Sequence, residues 1–294
     1  MTEFDIHSYP EFKNKTILLT GATSGIGLET ARLLSQTPCT LILHGRNPAK
    51  LARVEAELRA SGGPATIKSE IADLSLMSNV RGLARRVREN YSGLKLLINN
   101  AALSQRKAEM TADGLEMTFA VNHLAPLLLA MELSPVLRSN APSRIVFLGS
   151  MGHRFGIVNR RQIQSWMMPW GIIRYCCSKT QVMAAARKLG KLLDQSGVSV
   201  LSVHPGSIPT TDVFNVPLLR PFSLKVKDGA EAVVNAALAP KLQDAHGAYF
   251  NRFKLEKPGL QVRDPRFAEF VWRESLEYLG ISEQAALNLV LGGN

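Results

Sequence analysis

The sequence has little cysteine, no long apolar run and a shortage of acid. Only three cysteines occur in 294 residues. Cys176 and Cys177 are adjacent, Cys39 lies far away, and no C-x-x-C spacing is present. A disulfide framework and a thiolate metal site are excluded as organising principles, and three buried thiols in a reducing compartment are expected. The longest apolar stretch, around Leu124 to Leu133, contains Pro126 and Glu132. It falls short of the roughly 20 apolar residues that a membrane span requires. The opening MTEFDIHSYPEFKNK has neither a basic n-region nor an apolar core, so no signal peptide is read there. A cytoplasmic protein with no membrane anchor is expected.

Acidic residues number 24 against 35 basic ones, a formal net charge of +11. That excess raises nucleic-acid binding as a class. The basic residues are nevertheless scattered. The densest groups, Arg85-Arg86-Val87-Arg88 and Asn159-Arg160-Arg161, come with no zinc-finger or RNA-binding signature. The reading is no nucleic-acid partner, and a solvated basic face that favours the approach of an anionic cofactor or substrate.

What is present is alternation. Short apolar runs at Thr16–Thr20, Thr40–His44, Ala65–Ser69, Lys95–Asn100, Arg144–Ser150 and Val198–Gly206 read as strands. Several are apolar at successive positions, as strands covered on both faces require. Helix-like segments lie between them, at about residues 25–36, 47–60, 75–90, 112–138 and 174–196, and a further helical tail runs from Pro265 to Leu291. The pattern predicts an α/β fold, a doubly wound parallel sheet of Rossmann-like type in a single domain. Residues 1–13 read as an N-terminal extension and residues 14–294 as the domain. Two irregular stretches, near 151–174 and 207–226, read as insertions that shape a substrate pocket.

Directly after the first strand comes Thr20-Gly21-Ala22-Thr23-Ser24-Gly25-Ile26-Gly27, then a helix. Gly21 suits a tight turn, Gly25 lets backbone approach a pyrophosphate, and Gly27 lets the helix pack on the sheet. The N–H groups of the turn and the helix start, at Thr23, Ser24 and Ile26 as well, face phosphate oxygens in such a design. The second strand ends His44-Gly45-Arg46-Asn47. An NAD site places an acidic residue there for the ribose 2′-hydroxyl; here Gly45 stands in its place, followed by Arg46. A guanidinium grips a 2′-phosphate that a carboxylate would repel, so NADP(H) is the expected cofactor, with Arg46 and Asn47 beside it.

Tyr175 and Lys179 stand four residues apart, hence on one helical face. An ammonium beside a phenol is expected to lower its pKa from about 10 toward neutrality, making Tyr175 a usable general acid or base. Ser150 closes the fifth strand, where its hydroxyl can hydrogen-bond a substrate oxygen. Asn122 sits inside an apolar helical segment and needs buried partners. His153 and His204 read as structural hydrogen-bonding residues, since the Tyr–Lys pair already supplies a proton.

The TGxxxGIG turn and the YxxxK pair resemble the short-chain dehydrogenase/reductase family over about residues 14 to 280. VNHLAPLLL, SVHPG, Arg46 and the wide gap between Ser150 and Tyr175 resemble its retinol-dehydrogenase-like group. The resemblance implies an enzyme with a catalytic set of Asn122, Ser150, Tyr175 and Lys179. It implies adenine contacts at Asp73 and Leu74, and a counterpart of the family NNAG in Asn99-Asn100-Ala101-Ala102, with alanine for the last glycine. It also implies cofactor contacts at Tyr175, Lys179, Gly206, Ile208 and Thr210. The expected activity is NADP(H)-dependent interconversion of a ketone or aldehyde and an alcohol, and no metal is called for. Met151, His153, Phe155, Trp166, Met167, Trp170, Phe214, Leu218 and Phe222 are candidate pocket walls and suggest an apolar or aromatic substrate. The resemblance further implies a homodimer or homotetramer paired through the helices of Asn122 and Tyr175. A non-catalytic NADP(H)-binding sensor or scaffold is the alternative; retention of both Tyr175 and Lys179 favours the enzyme.

Overall fold

In strand β1 (Lys15–Leu19), Ile17 and Leu19 enter one apolar layer and Leu18 the opposite one. Strand β2 (Cys39–Gly45) divides in the same way, Leu41 and Leu43 against Ile42. Strand β4 (Leu94–Asn99) does so as well, Leu96 and Ile98 against Leu97. Side chains alternate along a strand, so an unbroken apolar run is what a sheet buried on both faces demands. Each such side chain taken fully from water contributes about 1.5–3 kcal/mol. The computed structural model describes residues 14–158, 163–164, 170–206, 210–211, 214–215 and 225–292.

The chain alternates strand and helix: α1 (Gly25–Ser35), α2 (Pro48–Ala60), β3 (Thr66–Ile71) and α3 (Met77–Asn90) flank β1, β2 and β4. A continuous helix follows, made of α4 (Met117–Phe119), a π-turn (Ala120–Leu124) and α5 (Ala125–Ser139). Then come β5 (Ser143–Leu148), α6 (Gly171–Leu192) and β6 (Val198–His204). The two-residue strands β7 (Thr210–Thr211) and β8 (Phe214–Asn215) pair with each other alone. The chain finishes through α7 (Val226–Leu238), β9 (Ala248–Asn251), β10 (Lys254–Glu256), α8 (Leu260–Arg263), α9 (Pro265–Leu279) and α10 (Glu283–Leu291).

The main sheet has eight strands in the order β10-β9-β6-β5-β4-β1-β2-β3. All neighbours run parallel except β10, which returns antiparallel to β9. The winding direction reverses between β1 and β4, and at such a point the loops leaving the two strands diverge and open a crevice. The long helix Met117–Ser139 is apolar enough by length and composition to cross a membrane. In the fold, 89% of its most apolar window is buried against the sheet and neighbouring helices, so it serves as a core helix.

Several boundaries differ from the sequence expectation. Helix α6 ends at Leu192 rather than near 196, and the expected tail from Pro265 to Leu291 divides at the left-handed Gly280 into α9 and α10. The long helix begins at Met117 rather than near 112, because Glu116 caps it by accepting from Phe119 N. Helix α6 begins at Gly171 rather than 174, which shortens the irregular stretch before it. There the backbone comes so close to the preceding loop that a Cβ on Gly171 would lie 1.9 Å from the Gln105 carbonyl oxygen. Helix α7, strand β9 and the edge strand β10 were not legible as elements in the sequence.

Candidate active site

A cleft of about 1140 Å³ opens at the reversal point, over the carboxyl ends of the central strands. One side is made by the turn after β1. Gly21 adopts φ +68°, and a Cβ there would lie 2.8 Å from the Ala101 Cα. A Cβ on Gly27 would lie 2.1 Å from the Gly21 carbonyl oxygen. These glycines let the turn and the start of α1 fold tightly against the end of β4. Ser24, the N-cap of α1, makes no side-chain cap bond, and the first turn holds no acidic residue. The positive end of the helix therefore faces the cleft with uncapped N–H donors, which suits a diphosphate. Thr23, Ser24, Gly25 and Ile26 line this wall.

Two residues that the sequence reading passed over hold the turn in place. Thr20 Oγ accepts from Asn100 N at 2.9 Å and Ala101 N at 3.0 Å, joining the ends of β1 and β4. Asn100 replies with Nδ2 donated to the Thr20 carbonyl at 2.8 Å and the Gly21 carbonyl at 3.1 Å. His44 Nδ1 accepts from Gly21 N at 3.3 Å, and Nε2 donates to the Ala72 carbonyl at 3.1 Å. That pairing requires the neutral ring, and burial pushes the His44 pKa down to about 4. Both residues are polar groups ending an apolar strand, the only trace they leave in the sequence.

Gly45, Arg46, Asp73, Leu74, Asn100 and Ala101 reach the same cleft. A Cβ at Gly45 would lie 2.8 Å from Thr23 Cγ2, so an acidic side chain there would meet the turn. Arg46 is exposed at the rim and engages no other side chain among the described residues. Asp73 Oδ1 accepts from Ser75 N at 2.9 Å. Asn47 is not brought to the cleft wall: its Oδ1 accepts from Lys50 N at 2.9 Å and caps α2.

The opposite wall carries Ser150, Tyr175, Lys179 and Gly206. Tyr175 is 7% exposed, and its hydroxyl is hydrogen-bonded to that of Ser150. The Ser150 hydroxyl also accepts from Gly152 N at 3.1 Å. Lys179 Nζ donates to the Leu148 carbonyl at 2.8 Å and lies 5.6 Å from the centre of the Tyr175 ring. The expected lowering of the phenol pKa by this amine is not what the geometry yields. Burial dominates and pushes Tyr175 up to about 12, with the Ser150 hydrogen bond pulling the other way. Burial likewise pushes Lys179 down to about 8. Desolvation penalises both charged forms, so phenol and amine are drawn toward neutrality together.

Asn122 stands behind this wall, fully buried in the π-turn. Pro126 has no N–H to offer the carbonyl of Asn122, four residues earlier, and the ladder shifts so that Ala125 N reaches back to the Ala120 carbonyl. Asn122 Oδ1 accepts from Leu103 N at 2.8 Å, and Nδ2 donates to the Leu103 carbonyl at 2.8 Å and Ser178 Oγ at 3.1 Å. It thus ties the loop after β4 to the helix that carries Tyr175 and Lys179.

Among the candidate pocket walls, Met151, Phe155 and Trp170 line the cleft, and Phe155 and Trp170 are 74% and 66% exposed at its mouth. His153 is buried behind them. Trp166, Met167, Ile208, Leu218 and Phe222 lie outside the described residues, and Thr210 and Phe214 are described in backbone only. No cluster of three or more metal-ligating side chains occurs among the described residues.

A sequence model of the family described as short chain dehydrogenase matches residues 15–216, from β1 past the Tyr175 helix. The chain belongs to the short-chain dehydrogenase family. It is 32% identical to mouse retinol dehydrogenase 12 over 92% of this chain and 88% of that protein. A short-chain dehydrogenase from Sphingobium yanoikuyae, solved in complex with NADPH, matches with a TM-score of 0.62 at 25% identity, over 76% of this chain and 84% of that one. A protein from Mycobacterium paratuberculosis shares the fold at a TM-score of 0.77 and 23% identity, covering 96% of this chain and 99% of that one. As a short-chain dehydrogenase the protein is an oxidoreductase that works with a nicotinamide cofactor on a small molecule. The glycine cradle, uncapped helix start and Thr20–Asn100 clamp fit such a dinucleotide.

Proposed function

We propose that the protein is an NADP(H)-dependent oxidoreductase that interconverts a ketone or aldehyde and its alcohol on a small apolar or aromatic molecule. One observation carries this reading: a buried phenol, hydrogen-bonded to a serine hydroxyl, faces the same cleft as the glycine turn. A bound nicotinamide supplies or takes the hydride at the carbonyl carbon. The Ser150 and Tyr175 hydroxyls converge to hydrogen-bond the substrate oxygen. Burial pushes the Tyr175 pKa up to about 12, so Tyr175 holds its proton on Oη at neutral pH, the form that can donate to an oxygen gaining negative charge when a carbonyl is reduced. Lys179, one helical turn on, holds its amine beside the ring, and Asn122 fixes the helix that presents both.

The preference for NADP(H) rests on Gly45, Arg46 and Thr23. An acidic residue at 45 would collide with Thr23, and Arg46 stands exposed at the rim, where a guanidinium can meet a 2′-phosphate. The apolar character of the substrate rests on Met151, Phe155 and Trp170 at the mouth. Fluorescence titration with NADPH and NADH, and a ketone panel followed at the nicotinamide absorbance, test both parts. NADPH is expected to bind more tightly, and Arg46→Ala to weaken it by about 10- to 100-fold, the worth of a charge-assisted hydrogen bond, while NADH binding changes little. Tighter binding of NADH would overturn the cofactor assignment. Absence of turnover with every ketone and aldehyde, NADPH bound, would overturn the reaction.

A further inference from the structure

Behind Ser150 lies a buried histidine with both ring nitrogens engaged, neither of them in the proposed chemistry. His153 is 2% exposed and sits in the 3-10 turn (Met151–Arg154) that Ser150 opens. Its backbone N–H donates to the Ser150 carbonyl at 3.1 Å, and its Nδ1–H donates to the same oxygen. On the far side of the ring, Nε2 accepts from Gly259 N at 2.9 Å, in the loop between β10 and α8. The two bonds demand opposite things of the two nitrogens: Nδ1 must carry a proton and Nε2 must not. A single neutral tautomer satisfies both.

The surroundings allow the ring no other place. Its plane meets the Tyr249 ring edge-on, with centroids 4.9 Å apart. The Tyr249 hydroxyl reaches Met151 Sδ at 3.6 Å. Thr180, next to Lys179 on α6, hydrogen-bonds the carbonyls of His153 at 3.2 Å and Gly156 at 2.8 Å, pressing the turn onto the helix that bears Tyr175. Ser150 itself lies where β5 has ended and the turn begins, in extended backbone (φ −155°, ψ 151°) outside the sheet ladder. Two donors on its carbonyl, both from His153, fix the peptide plane there.

We infer that His153 is a positioning residue for Ser150: a strut from the Gly259 loop, through the imidazole, to the Ser150 carbonyl, which aims the Ser150 hydroxyl at Tyr175. This rests on the role proposed above for Ser150. The strut acts through its Nδ1 end. The Nε2 end anchors the ring. Displacement of a reacting group by about 1 Å can cost on the order of a hundredfold in rate, so a carbonyl free to tilt by less still has a measurable price.

The two ends can be separated. In His153→Asn the amide nitrogen falls near the position of Nδ1 and keeps the bond to Ser150, while the acceptor for Gly259 is lost. In His153→Gln the end group falls near Nε2 and keeps Gly259, while the donor to Ser150 is lost. With NADPH and an aromatic ketone that the wild-type protein reduces, H153N is expected to keep kcat within about twofold. H153Q is expected to lose about tenfold or more in kcat, within the range set by misplacing a reacting group. The NADPH dissociation constant should be unchanged in both, and both should melt at similarly lowered temperatures. Equal losses of kcat in the two variants, or no loss in H153Q, would reduce His153 to a stabilising residue and overturn the proposal. Nitrogen-15 NMR of wild-type His153 needs neither turnover nor a folded variant. The protonated Nδ1 is expected, and a ring protonated at Nε2 overturns the strut whether or not a ketone is reduced.

Discussion

The two walls of the cleft are built from different materials. The wall after β1, β2 and β4 is made largely of main chain: glycines that admit close approach, uncapped N–H groups at the start of α1, and side chains such as Thr20, Asn100 and His44 that bond to backbone. The wall after β5 and along α6 is made of side chains, Ser150, Tyr175 and Lys179, and burial alters the hold of the last two on their protons. On the first wall, function is expected to fail when an atom is added. On the second, it is expected to fail when an atom is removed. A surface that cradles a ligand needs space and fixed dipoles, whereas one that moves a proton needs a group of a given basicity at a given point.

The contrast is broken most severely by losing one oxygen from the second wall. Tyr175→Phe is expected to cut turnover by about three orders of magnitude, the upper part of the range for a general acid combined with loss of a donor to the substrate oxygen. NADPH binding should survive within a few-fold. Turnover near the wild-type level in this variant would remove the phenol from the proposed chemistry.

Adding one carbon to the first wall is the mirror experiment. Gly27→Ala puts a Cβ 2.1 Å from the Gly21 carbonyl oxygen and 2.4 Å from Asn100 Nδ2. The turn must move, at a cost of about 1–3 kcal/mol in urea unfolding, and NADPH affinity should fall with it. Gly82→Ala sharpens the comparison. In α3 the nearest atom to such a Cβ is Arg86 Nη1 at 3.5 Å. That variant should gain up to about 1 kcal/mol from helix propensity and leave NADPH binding alone. Equal effects at the two glycines would mean that the turn tolerates bulk and that space is not what the first wall provides.

Acid should act on both walls alike and so has the least power to tell them apart. Burial pushes His44 on the first wall and His204 on the second down to about 4, and His123 beneath the long helix down to about 3, from an ordinary 6.5. The folded protein holds these rings neutral, while the unfolded chain takes up protons below about 6.5. Their stabilising contribution is therefore complete above pH 6.5 and is lost as the pH falls through about 4. Unfolding free energies from urea titrations at pH 7.5, 6 and 5 should fall in that order, by a few kcal/mol in total across the window, and the midpoints with them. A midpoint flat from pH 7.5 to 5 would contradict the buried neutral rings.

Much of this was legible in the sequence, for reasons tied to particular residues. The six predicted strands and five of the predicted helices appear because a sheet covered on both faces leaves uninterrupted apolar runs. The glycine turn and the Tyr175–Lys179 pair were visible because each is a local spacing, set by one turn of chain. Helix α7 and strands β9 and β10 were not visible; the strands are short and gain their pairing only in the fold, β9 from β6 and β10 from β9. Asn47 illustrates the opposite limit. Its place beside Arg46 suggested a cofactor contact, and the fold gives its Oδ1 a second task, capping α2, which leaves Nδ2 for any such contact.

What the sequence determined by itself was whatever depends on neighbours along the chain: strand and helix alternation, the helix-start turn, a phenol and an amine on one face. The tertiary structure alone decided how those groups behave. The amine beside Tyr175 was expected to dominate its proton affinity, but the surrounding protein removes water from both groups, and desolvation depends on every segment packed around them. For the same reason Thr20 and His44 were silent until the fold brought Asn100 and Ala72 against them, and His153, read as a structural hydrogen-bonding residue, had no partner named until Gly259 met it. A hydrogen bond between distant segments has no spacing to read.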